Sequence, residues 1–173
     1  MLTTGVLGKL HRDHETVNRL MTDINELVDT GSSDYGALFA ELKSELVAHC
    51  LAEERVFYAA LDEHQECKDD VKDGREEHEE IQEILNDLAR CDDEEEWLST
   101  FQELEDAVEH HAREVESEAF ATAQRVLGKA KLLELAAAYQ REKSRARAEL
   151  TGRDDGDDEV EEETRISRDS INA

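Results

Sequence analysis

Apolar residues recur along this chain at steps of three and four over four long stretches, the spacing of helices that bury one face. The first stretch predicts a helix from about Thr4, a residue type that caps helices, to the "DTGSSD" segment. Its inward stripe is Leu7, Leu10, His14, Val17, Met21, Ile24 and Val28. The second, from about Tyr35 to Asp62, aligns Leu38, Leu42, Leu46, His49, Glu53, Val56 or Phe57, and Ala60. The third, from about Asp70 to Ala89, aligns Val71, Gly74, His78, Ile81, Leu85 and Leu88. The fourth begins after "CDDEE", whose aspartates can cap it, and aligns Trp97, Phe101, Leu104, Val108, His111 and Val115. The connections are short, so neighbouring helices should be antiparallel. The expected fold is all-α: an up-down-up-down antiparallel four-helix bundle over residues 1–127, with an additional C-terminal helix over 128–150.

Composition supports helices over sheet. The chain has no proline, eight glycines and few aromatics, and Ala, Leu, Glu and Arg recur throughout. The net charge is −26 over 173 residues. Residues 151–173 carry nine acids and three arginines, a net of −6, so residues 1–150 still carry −20. Such a surface repels nucleic acid and anionic membrane, and neither is expected as a partner. Lysine is scarce, 7 against 13 arginines, and an acidic, lysine-poor composition resembles that of proteins from high-salt cytoplasms. Cys50, Cys67 and Cys91 are odd in number and lack metal-finger spacing, which suits a reducing cytoplasm. No stretch is long and apolar enough for a transmembrane helix, and "MLTTGVLGKLHRDH" does not read as a signal peptide. In the C-terminal helix the second half is basic, with Arg141, Lys143, Arg145 and Arg147, which suits a helix C-terminus packed on an acidic body. From Thr151 onward the chain is acidic and poor in large apolar groups, so residues 151–173 should be a disordered tail.

The chemistry lies in the histidines. Each of the four stripes carries one, and a bundle interior offers few partners for four imidazoles. A metal ion would satisfy them together. Their depth agrees: the first loop centres near Gly31–Ser32, with His14 about 17 residues before it and His49 about 17 after it, at one level of an antiparallel pair. His78 and the His110/His111 pair return to a similar level. His49 and Glu53, at i and i+4, share a face, and imidazole with carboxylate is a ligand mix that suits iron. Otherwise Glu53 would sit at the helix flank and pair with Arg55 or Arg90. His11 and His64 fall off the stripes and read as solvated. Cys50 is turned about 100° from His49 and reads as a small buried residue.

The series "RDH" (His14), "HCLAEE" (His49 to Glu54), "EEHEEI" (His78) and "EHHAREVE" resembles the hemerythrin-like, or HHE cation-binding, family over roughly residues 4–125. That resemblance implies a four-helix bundle holding two Fe ions as an oxo- or hydroxo-bridged non-haem centre, with terminal histidines and bridging carboxylates. The metal ligands it points to are His14, His49, Glu53, His78, His110 or His111, and Glu114. Two positions depart from the pattern. Gly74 stands four before His78, where oxygen carriers of the family have a further histidine. Val115 stands four after His111, where a bridging glutamate is expected. Three arrangements stay open: His111 with Glu114, His111 with Glu116, or His110 with Glu114 after a small helix rotation. The first and third rank highest, since Glu114 serves both. The implied function is a di-iron protein whose site meets O2, H2O2 or NO in redox sensing or in peroxide or NO detoxification, with catalase-like peroxide decomposition as one form. The alternative is an iron-responsive regulatory or iron-donating protein acting through partner contacts. A metal-free acidic bundle would leave four core histidines unexplained.

Overall fold

A computed structural model describes residues 5–154. These form five helices and no strand. Helix α1 is Val6–Asp29. Helix α2 is Gly36–Ala52, continued by a π-helical segment Glu53–Tyr58 and by Ala59–Leu61. A 3-10 turn, Gln65–Cys67, leads into α3, Lys68–Leu88. Helix α4 is Glu94–Glu114, continued by a second π-helical segment Val115–Ala119 and by Phe120–Val126. Helix α5 is Gly128–Asp154.

The helix ends have local causes. Asp93 caps α4, its carboxylate accepting from the Glu96 N–H at 2.9 Å, and three glutamates follow in the first turn, where the helix dipole favours negative charge. Gly128, with φ +69°, makes the left-handed turn that separates α4 from α5. Thr4, the cap expected for α1, lies outside the described residues, and Gly5 occupies the cap position. Thr151 to Asp154 continue α5, although the charge pattern assigned them to the acidic tail. The remainder of that expected disordered segment, 155–173, lies outside the described residues.

Two apolar clusters fill the interior. One joins Val6, Leu7 and Leu10 at the start of α1 with Phe57, Tyr58 and Leu61 at the end of α2, Val71 at the start of α3, and Val115, Phe120 and Ala123 at the end of α4. The other joins the opposite ends, among them Ile24, Leu42, Leu85, Leu88, Trp97 and Phe101. Trp97 closes that end, stacked between Tyr35 at 4.5 Å and Phe101 at 5.0 Å. Helix α5 lies along α1 and α2 and buries Leu132, Leu135 and Tyr139 in the first cluster.

Between the two clusters lies a polar layer. On α1, His14 sits between Leu10 and Val17; on α4, His111 sits between Val108 and Val115. His49, Glu53 and His78 complete the layer, and no member is more than 8% exposed. The apolar clusters above and below keep these groups at one depth. Truncating the lower cluster should therefore unfold the support of the whole layer: Leu104→Ala should cost about 2–5 kcal/mol in urea denaturation. Leu133→Ala, at a half-exposed position on α5, should change stability by no more than about 0.5 kcal/mol.

Candidate metal centre

Glu53 lies at the centre of the polar layer and is fully buried. Its Oε2 is 3.3 Å from Nε2 of His49, 3.5 Å from Nε2 of His78 and 3.5 Å from Nε2 of His111. His14 joins them: one ligand atom from each of His14, His49, Glu53 and His111 falls within 4.8 Å of the others. His78 Nε2 is 3.3 Å from His111 Nε2. The imidazoles form two close pairs. Ring centroids are 4.9 Å apart for His14–His49 and 4.6 Å for His78–His111, but 5.7 to 6.5 Å between the pairs.

The other ring nitrogen of every histidine is held from outside. Nδ1 of His14 meets Glu116 at 2.8 Å, that of His78 meets Glu54 at 2.9 Å, and that of His111 meets Glu77 at 2.9 Å. Nδ1 of His49 donates to Tyr139 Oη at 2.9 Å, with Asp13 Oδ2 at 3.6 Å behind it. These acceptors form a closed ring around the bundle. Asp13 on α1 backs the histidine of α2, Glu54 on α2 that of α3, Glu77 on α3 that of α4, and Glu116 on α4 that of α1. An imidazole that donates from Nδ1 keeps its Nε2 lone pair free when neutral, and a carboxylate behind the ring raises its basicity toward a metal.

Among the described residues, the buried polar atoms without a hydrogen-bond partner are His14 Nε2, His49 Nε2, both oxygens of Glu53, and Tyr58 Oη. Such atoms are costly to bury bare. Those of His14, His49 and Glu53 fall in one small volume, and the three histidine–carboxylate contacts there are the set a cation would draw together.

Electrostatics follow from the same packing. Burial pushes the Glu53 carboxyl upward, but the close approach of His111, His49 and His78 outweighs it and holds Glu53 well below the usual carboxylate range. Burial likewise opposes charge on His49, yet Asp13 and Glu53 lift its pKa to about 9. His78 and His111 are also raised against their burial, the first by Cys50, Glu53 and Glu54 and the second by Glu53 and Glu77. His14 goes the other way, because burial outweighs Glu116.

The order of residues matches a known domain. A family model, hemerythrin HHE cation-binding domain, matches residues 6–123. This chain belongs to the hemerythrin HHE cation-binding domain family. Comparison with curated proteins and with solved structures gives no match. The match ends before α5, so Tyr139 enters the layer from outside the family domain.

Of the residues singled out in the sequence, the structure brings together His14, His49, Glu53, His78 and His111. It leaves His110 and Glu114 outside. His110 is half-exposed, one residue round the helix from His111, and takes a hydrogen bond from Arg113 at 2.9 Å. Glu114 is 40% exposed and faces a cleft between α3 and α4, beside Arg113. The π-helical segment begins after Glu114, and its extra residue per turn brings Val115, Ala119 and Phe120 inward instead. The same segment begins four residues after His49 on α2, at Glu53, so Val115 holds the place that Glu53 holds. Glu116, the partner of His111 in the second arrangement, instead meets Nδ1 of both His14 and His11 at the rim. Arg55, one candidate partner for Glu53, pairs with Glu142 at 2.6 Å.

Tyr58 occupies the space that Gly74 leaves. A Cβ at position 74 would overlap Tyr58 Oη and lie 2.6 Å from its Cζ. The phenol ring stacks on His78 with centroids 5.6 Å apart. Glycine is needed here for close approach, since nothing larger fits beside the phenol. Gly74→Ala should therefore destabilise by about 1–3 kcal/mol in urea denaturation, and Tyr58→Leu in the same chain should recover most of that loss.

The direction of the histidine shifts also fixes how metal uptake depends on pH. Asp13 and Glu53 raise the His49 pKa to about 9, so a metal binding at His49 competes with a proton. Affinity for Co2+ should thus rise with pH from about 7 to about 9, by up to about tenfold per unit for each proton released, and then level off. Metal titration across that range, with proton release followed in weak buffer, checks the sign.

Proposed function

We propose that this chain holds a pair of iron ions between His14 and His49 on one side and His78 and His111 on the other, with Glu53 between them. The observation that carries the reading is the convergence of bare Nε2 atoms on a fully buried carboxylate whose oxygens have no hydrogen bond. Four histidines in two pairs, each backed at Nδ1, are a donor set that iron accepts. The layer sits within what we read as an up-down-up-down four-helix bundle, the arrangement that lets four helices each offer one side chain at one level.

The reading extends to small ligands: O2, H2O2 or NO, in redox sensing or in detoxification of peroxide or NO. Iron, when bound, supplies Lewis-acid and redox chemistry toward such molecules. The protein's own groups set the terms. Glu53 offers negative charge to the metals. At Gly74 no imidazole is present, and the Tyr58 hydroxyl stands there instead, buried and with a proton to donate. The phenol is thus placed to donate a hydrogen bond on this side of the layer. Clefts reach both sides of the layer: one is lined by His14, Met21, Val108 and Glu116, another by Val47, Cys50, Glu54 and His78. The acidic walls favour entry of cations over anions. The three free cysteines suit a reducing cytoplasm.

Purified protein should contain about two irons per chain and show near-ultraviolet charge-transfer absorption; a mononuclear count or zinc alone would refute the two-iron reading. His49→Ala and Glu53→Ala should lose most of the iron. Metal at about 100 times its Kd should stabilise the fold by about 2.7 kcal/mol, a gain that chelator removes. Oxygen evolution from added peroxide, abolished in Glu53→Ala, would identify a catalase-like reaction; its absence, with spectral change on NO or O2, would favour sensing.

A further inference from the structure

In the ring of acids that backs the histidines, one link is indirect. Glu54, Glu77 and Glu116 touch their histidines directly. Between Asp13 and His49, the hydroxyl of Tyr139 is inserted. Tyr139 comes from α5, beyond the end of the family match, and is only 1% exposed. Its hydroxyl donates to Asp13 Oδ2 at 2.6 Å and accepts from His49 Nδ1 at 2.9 Å.

One turn further along α5, Lys143 reaches the same acid. Its Nζ lies 2.8 Å from Asp13 Oδ1 and also contacts Glu45 on α2. Lys143 is 6% exposed and Glu45 5% exposed. Arg147, another turn on, meets the second oxygen of Glu45 at 3.0 Å. Two carboxylates and two cations thus alternate from α1 and α2 to α5, and every buried charge has a partner. Asp13 is held between Lys143 and Tyr139 as an acceptor, so the phenol proton points to Asp13 and the phenol oxygen is left to accept from His49. That polarity places the His49 proton on Nδ1.

We propose that α5 is a working part of the metal centre: Tyr139 is a positioning residue that sets the tautomer and ring orientation of His49, and metal loading at His49 is coupled through Tyr139, Asp13 and Lys143 to the docking of α5. The inference rests on the reading of this layer as a metal site. Coupling of this kind is reciprocal. If docked α5 favours metal, then metal favours docked α5, and the centre's occupancy is written onto an outer helix that bears Arg141, Arg145 and Arg147. This gives the site an output at the protein surface without any movement of the other four helices.

The test uses the full chain and Co2+ as probe, because its visible bands report the ligand field at the metal. Tyr139→Phe keeps the ring and removes the oxygen. It should bind Co2+ about 10–100-fold more weakly than wild type and shift the Co2+ bands. Hydrogen exchange supplies the second measurement. In wild type, Co2+ should slow exchange of the α5 amides between residues 135 and 147, and in Tyr139→Phe that effect should be lost. Lys143→Met, which leaves Tyr139 in place but frees Asp13, should show the same loss in weaker form; it carries the test if Tyr139→Phe does not fold. Wild-type affinity with unchanged Co2+ bands in both variants would overturn the positioning role. Exchange in α5 that is indifferent to Co2+ in wild type would overturn the coupling. Wild-type protein that binds no metal at all would instead sink the metal-centre reading itself, so the two failures are distinguishable.

Discussion

Everything in this bundle is arranged around the burial of one carboxylate. Glu53 has no solvent exposure and no conventional hydrogen bond, and an ion placed so costs several kcal/mol unless charge of opposite sign meets it. Three imidazole nitrogens approach its Oε2 within 3.5 Å, and a fourth histidine stands nearby. Those histidines are buried in turn, so each needs its own support at Nδ1. The support comes from a second circle of acids, in which Glu116 also meets His11, Asp13 meets Lys143 and Glu77 meets His110. Charge therefore alternates outward from the centre in shells, and the apolar clusters on either side seal the layer.

Much of this was readable in the letters. The 3- and 4-residue steps place His14, His49, Glu53, His78 and His111 inward, because an inward stripe is a property of one helix and needs no knowledge of its neighbours. The ring of acids was also present, in a form that periodicity discards. Asp13 precedes His14, Glu54 follows Glu53, Glu77 precedes His78 and Glu116 follows Val115. Each stands one residue off the stripe, where a solvated flank is the ordinary reading. Which histidine it serves depends on which helix lies beside it, and spacing along one chain does not carry that. Tyr139 was out of reach for the same reason. Its helix shows a weak apolar face, and nothing in its sequence says that it lies across α1 and α2.

The two departures from the family pattern have different physical outcomes. At Gly74 the missing imidazole is replaced in space by Tyr58 from another helix, so the volume is filled and a polar atom is retained. At Val115 nothing polar takes over: the side chain joins the apolar cluster above the layer. One half of the layer thus keeps a polar group in place of the imidazole, and the other half does not keep one in place of the carboxylate. The result is a layer in which Glu53 is the one carboxylate among four imidazoles. Neither change could be weighed from the helix stripe alone, since a stripe records what faces inward but not what a neighbouring helix contributes to the same space.

The paired π-helical segments have a consequence for how the molecule can vary. Each adds about one residue to a turn, and the helix beyond it is rotated relative to the helix before it. The phase of α2 and α4 at the metal layer is thereby separated from their phase at the upper end, where Phe57, Tyr58, Phe120 and Ala123 meet α5. Below the segments, the helices answer to the geometry of the histidine layer. Above them, they answer to the packing of the first apolar cluster. Substitutions that repack the upper ends of α2 and α4 against each other need not disturb the histidines below, whereas a change in α5 reaches the layer directly through Tyr139.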